Sequence, residues 1–122
     1  SQSTIMIAVE NNRSDKNYKA LKENLKILSN SCDENGKKLK IIKIPMPRPV
    51  VIDKTRVPAS YLNFFISNKM VLVPVFNVKE DKKVLKIFKK FFTNRKVIAI
   101  DCSDLIWGFG AIHCMTQQEP KI

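Results

Sequence analysis

Two stretches of this chain carry the same order of patterns, and that order restricts the folds open to it. In the later stretch, Met70–Val75 is a β-branched apolar run, residues 79–92 are amphipathic, and residues 97–100 return to an apolar run. At about 100° per residue, Lys79, Lys82, Lys83, Lys86, Lys89 and Lys90 share one face of a helix, and Val84, Leu85, Ile87, Phe88, Phe91 and Phe92 cover the other. Such a helix lays its apolar face on a sheet and turns its lysines to water. In the earlier stretch, Thr4–Val9 reads as a buried strand. Tyr18, Leu21, Leu25 and Leu28 then mark one face of a helix over 16–31, and residues 39–44 form a second strand. Each copy continues through a loop to one more strand, at 61–66 and at 111–117. Ile5 in the first copy corresponds to Val71 in the second. The repeat lies in element order, not residue identity, and stacked repeats close a core that one copy cannot. The pattern predicts an α+β chain of two repeats, roughly 1–67 and 68–122, with outer amphipathic helices.

Breakers support these divisions. Pro45, Pro47 and Pro49 cannot sit inside a ladder, so a loop is expected from there to Pro58. Pro74 marks its strand as one that ends or lies at an edge. Residues 102–107 read as a short turn or helix, with Asp101 and Asp104 as its caps.

With 122 residues, 44% of them hydrophobic, the chain fits one domain or part of one and is too apolar for disorder. No apolar run reaches the ~20 residues of a membrane helix, and no basic-then-apolar leader is seen, so a soluble cytoplasmic protein without a membrane partner is expected. A strand beginning so soon after Ser1 fits a cut edge or a processed Met. The net charge is +11, but 18 of the 22 basic residues are Lys and only four are Arg. Lysines spread over solvated helix faces explain that balance better than nucleic acid, whose specific readers favour Arg. A basic nucleic-acid-binding module stays the alternative of another class. Its mark is DNA binding that falls steeply with salt.

Cys32, Cys102 and Cys114 are odd in number and widely spaced, which does not describe a disulfide framework. With one histidine and no paired cysteines, the ligands for a zinc site are too few, and no cofactor is expected. Cys114 follows a glycine-rich opening at Gly108 and Gly110, where backbone can approach a ligand closely. A thiol there is a nucleophile if something deprotonates it and a structural side chain otherwise, and spacing alone favours the structural reading. His113 is the adjacent base, but in a strand neighbouring side chains face opposite ways, and a working base must reach within about 3 Å. His113 is therefore expected to support the site without acting as its base. Trp107 is expected to pack behind the cysteine loop, and Asn63 to satisfy backbone groups.

Gly108, Gly110, Ile112, His113, Cys114, Thr116, Gln118 and Pro120 resemble the G-x-G-x-I-H-C-x-T-x-Q-x-P signature of agmatine deiminases, within the bacterial peptidyl-arginine deiminase family. The likeness extends to Ile7 to Glu10, to Pro45 to Pro47, to the run from Pro58 to Phe64, to Val71 to Pro74, and to the approach from Asp101 to Trp107. Phe109 departs from it, standing where many relatives carry Gly. The resemblance implies a pentein fold, with ββαβ-like repeats of mixed sheets in an α/β propeller. It makes residues 1–122 the C-terminal segment of such a catalytic domain. It implies Cys114 as nucleophile on the guanidinium carbon of agmatine, with Gly108 and Gly110 near substrate. It also implies that the acid/base histidine and the substrate carboxylates belong to a missing N-terminal part, so the chain alone is expected to be inactive. That part, a further copy of the chain, and agmatine are the implied partners. Another guanidine, such as peptidyl-arginine, is the alternative substrate.

Overall fold

The structure, a computed structural model, describes residues 3–120. The chain divides into two compact units, one ending at Met46 and the other beginning at Pro47.

In the first unit, strand β1 (Thr4–Val9) leads to helix α1 (Tyr18–Ser29) and strand β2 (Lys40–Pro45). β1 and β2 pair in parallel, in register from Thr4 opposite Lys40 to Val9 opposite Pro45. The parallel pairing requires a crossover, and α1 supplies it. The alternation of a half-buried strand appears in β2, where Ile42 and Ile44 are buried and Lys43 between them is exposed. α1 keeps Tyr18, Leu21, Leu25 and Leu28 on one face, as predicted, yet none of its residues is fully buried. Its last carbonyls are satisfied by side chains, with the Ser29 hydroxyl donating to Leu25 O at 2.7 Å and Asn30 Nδ2 to Lys26 O at 3.0 Å. The polar turn after it is built on Asp33, whose Oδ1 accepts the N–H groups of Asn35 and Lys37. Gly36 there takes a φ of 75°, a left-handed conformation that suits glycine.

The second unit opens with a small antiparallel hairpin, β3 (Val51–Ile52) and β4 (Thr55–Arg56), inside the stretch expected to be loop. Asp53 and Lys54 form its turn with φ of 45° and 65°, the positive pair of a tight hairpin. Strands β5 (Phe65–Ile66), β6 (Met70–Val75) and β7 (Lys96–Asp101) then make a mixed sheet in the order β5-β6-β7, with helix α2 (Glu80–Phe91) joining β6 to β7. β5 is antiparallel to β6 and β7 is parallel to it. Residues 65–66 therefore belong with the strand that follows them. The intervening turn is short enough only for an antiparallel return. Residues 61–63, expected to be strand, form a turn instead.

α2 buries Val84 and Phe88 completely. Phe64 meets Phe88 edge-on at 4.9 Å and Phe92 at 6.0 Å. Pro74 is buried in the middle strand. The neighbouring Val75 carbonyl accepts the Cys102 N–H from the β7 side, so Pro74 faces the opposite side, where β5 has already ended. Its missing N–H leaves no ladder bond unmade. The one expected element that does not form is the strand at 111–117. The chain there is irregular, with a 3-10 turn at His113–Met115, and another such turn, Leu105–Gly108, precedes it. Among the described residues, no helix is long and apolar enough to cross a membrane.

Candidate active site

Cys114 sits in the His113–Met115 turn with its side chain open to solvent. The turn is held by Asn63 through three bonds. Asn63 Nδ2 donates to Cys114 Sγ at 2.9 Å, Asn63 Oδ1 accepts the Cys114 N–H at 3.2 Å, and Asn63 O accepts the His113 N–H at 3.2 Å. A sulfur that accepts hydrogen bonds is favoured as the thiolate. The Asn63 amide accordingly holds the Cys114 thiol below its ordinary value, helped by the backbone N–H of Ala111 and opposed by partial burial.

Gly110 is the glycine this arrangement requires. A Cβ placed there would lie 3.0 Å from Cys114 Cβ and 3.3 Å from Sγ. A Cβ on Gly108 would meet nothing within 4 Å, so packing does not demand glycine at that position. Phe109 between them adopts φ 59° and ψ 20°, a left-handed conformation costly for a residue with a Cβ. That geometry explains why glycine suits the position. The residue is 61% exposed.

The other expected site residues fall out differently. Because 111–117 is not a strand, alternation does not turn His113 away from Cys114. The imidazole is nevertheless exposed, and no hydrogen bond joins it to the sulfur. Trp107 does not pack behind the loop. It is 55% exposed, and with Phe109 and Met115 it leaves the segment around the thiol rich in open apolar surface. Asp101 caps the turn after β7, accepting the Ser103 N–H at 2.9 Å and its hydroxyl at 2.7 Å, whereas Asp104 makes no side-chain cap bond. Cys102 is fully buried, and burial pushes its thiol up. Asn63 does satisfy backbone, as expected, but its contact with the sulfur was not anticipated. The residues that hold Asn63 in place also escaped the sequence reading, although Tyr61 lies in the same Pro58 to Phe64 motif.

This exposed, hydrogen-bonded thiol lies within a stretch with a close family match. The family model for Porphyromonas-type peptidyl-arginine deiminase matches residues 1–120. The chain belongs to that family. A Latilactobacillus sakei protein named "Putative agmatine deiminase" is 31% identical over 134 residues, covering 95% of this chain and 37% of that protein. The crystal structure of a Porphyromonas gingivalis protein named "Putative Arginine Deiminase" superposes with a TM-score of 0.96 at 31% identity, over 99% of this chain and 36% of that one. Enterococcus faecalis agmatine deiminase gives a TM-score of 0.93 at 26% identity, over 98% and 37%. The peptidyl-arginine deiminase-type chain thus spans little more than a third of the length of these relatives.

Proposed function

We propose that this chain is the nucleophile-bearing C-terminal part of an agmatine deiminase, a hydrolase of the C–N bond of a linear amidine. The observation that carries the reading is the exposed Cys114 sulfur, held by the Asn63 amide in the turn that bears the family signature. The Cys114 thiolate attacks the guanidinium carbon of agmatine. Collapse of the adduct expels ammonia and leaves a covalent thiouronium. Water then attacks that carbon, the C–S bond breaks, and N-carbamoylputrescine is released. The covalent step suits a resonance-stabilised cation, which water attacks poorly by itself.

Two further parts are needed. Carboxylates must grip the guanidinium in a two-pronged geometry, and an acid/base group must protonate the leaving nitrogen and then, as the base, take a proton from the attacking water. Both belong to the remainder of a complete family member, in which the two ββαβ-like repeats of this chain take their place in a pseudo-fivefold propeller. Gly108 and Gly110 border the substrate. The setting is cytoplasmic and the product feeds putrescine formation. Peptidyl-arginine is the second reading, and the description of the matching family favours it.

The test supplies agmatine to the protein alone and to the protein joined to the N-terminal remainder of a relative, with assay of ammonia and ureido product. Turnover is expected only from the joined protein and is abolished by Cys114→Ser. Steady turnover by the chain alone overturns the division of labour. Turnover of peptidyl-arginine but not agmatine overturns the substrate.

A further inference from the structure

Asn63 does more than close a turn, because the elements around it are arranged to fix its side chain. Two residues earlier, Tyr61 is buried to 1% exposure, and its hydroxyl donates to Asp81 Oδ1 at 2.6 Å. Asp81 Oδ2 in turn accepts the N–H groups of Phe76 at 3.2 Å and Val78 at 3.1 Å, at the start of α2. One residue later, Phe64 is wedged against Phe88 and Phe92 at the other end of the same helix. Ser60 closes the turn locally, its Oγ accepting the Leu62 N–H and its carbonyl the Asn63 N–H, both at 3.2 Å. The segment carrying Asn63 is thus pinned to both ends of α2, and the asparagine is presented with little freedom to relax. A donor held this way need not reorganise when charge appears in front of it.

We propose that Asn63 is a catalytic residue of this site, its side-chain N–H holding the attacking Cys114 sulfur as an anion and its carbonyl fixing the turn, with Tyr61 and Asp81 as the residues that position it. The Asn63 amide lies 2.9 Å from the sulfur, whereas no hydrogen bond joins the His113 imidazole to it. The Asn63 amide occupies one side of the sulfur, and the side chain is otherwise open to solvent for the approaching carbon. The inference rests on the reading of Cys114 as the attacking group, but not on the identity of the guanidine.

The experiment is the pH dependence of Cys114 alkylation by iodoacetamide, read by mass spectrometry of the whole protein's peptides, with exposed Cys32 as the reference thiol in the same sample. Asn63→Asp keeps the acceptor for the Cys114 N–H and replaces the donor with a negative charge. Asn63→Ala removes both. Each is expected to raise the Cys114 midpoint by about one pH unit or more, roughly a tenfold loss of alkylation rate at neutral pH, while the Cys32 profile stays where it was. Tyr61→Phe, which only frees the segment, is expected to shift the Cys114 midpoint in the same direction by less. Should Asn63→Ala fail to fold, Asn63→Leu, which removes the donor without adding a charge, takes its place. Midpoints unmoved in a folded Asn63→Asp protein overturn the inference. A shift of Cys32 together with Cys114 also overturns it, because the effect then is not local. No guanidine enters this measurement, so failure on agmatine with a shifted midpoint counts against the substrate reading alone. Turnover with an unshifted midpoint counts against Asn63 alone.

Discussion

α1 and α2 are each 12 residues long, and each joins two six-residue parallel strands, yet they are buried very differently. α1 leaves Tyr18, Leu21, Leu25 and Leu28 half-buried, whereas α2 hides Val84 and Phe88 completely. The second unit adds an antiparallel strand, β5, and irregular segments that pack Phe64 against α2. The two units also differ in where they place left-handed backbone. Among the described residues, the first unit uses Gly36, while the second puts Asp53, Lys54, Asn77 and Phe109 there. The difference teaches that the strand–helix–strand order supplies a scaffold, and that the candidate site is built in the unit whose helix is locked down on both its ends.

The largest expected effect sharpens that contrast directly. Phe88→Ala should destabilise by about 3–5 kcal/mol, whereas Leu25→Ala, at a half-buried site, should cost roughly 1–2 kcal/mol in the same urea titration. Equal losses would break the comparison. Next comes crowding against fit. Gly110→Ala forces a methyl against Cys114 and should cost about 1–3 kcal/mol, with altered Cys114 alkylation as its local signature. Gly36→Ala meets no neighbour, so its cost, about 1 kcal/mol, is set by the left-handed backbone alone. Phe109→Gly runs the other way. Relief of the left-handed strain outweighs the greater freedom of the unfolded chain, and thermal unfolding should show a gain of a few tenths to about 1 kcal/mol.

The smallest effect is one the two units should share. Asp33 in the first is held below the ordinary carboxylate range by the Ser3 hydroxyl, followed by the Lys37 and Asn35 N–H groups. Asp101 in the second is lowered by Ser103, through its hydroxyl and then its N–H, with Asn77 adding to it. A carboxylate whose folded value lies below its unfolded one contributes stability that is present above the unfolded value, near pH 4, and is lost as pH falls through the folded value. Asp33→Asn and Asp101→Asn should therefore each lower stability slightly at neutral pH. The gap to the parent protein should close on acidification well below pH 4, as followed by urea midpoints across pH. A gap that persists in acid assigns these side chains a role other than as charged acceptors.

The strands Thr4–Val9 and Met70–Val75 were legible to their end residues, and both helices to within a turn, because apolar spacing is a local property and these segments obey it. Cys114 and Gly110 were legible through the signature around them. The sequence reading failed at Ala111 to Gln117, where a short apolar stretch read as a strand. Its backbone groups are taken up by Asn63, 51 residues earlier, and by bonds within the turn, as from Thr116 to His113. Trp107 was expected to pack behind the cysteine loop, but whether such a ring is covered depends on what else reaches it.

Residue spacing and side-chain type were enough to specify where this chain makes helices and most of its strands, and the resemblance over Gly108 to Pro120 singled out the sulfur. They could not specify that Tyr61, Asp81, Phe64 and Phe88 would hold Asn63 against that sulfur, since such bonds join residues 20 to 51 positions apart. Their geometry exists only once β5, β6 and α2 are packed. Local propensity acts over a few residues, whereas a donor aimed at a thiol needs separate elements fixed together in space.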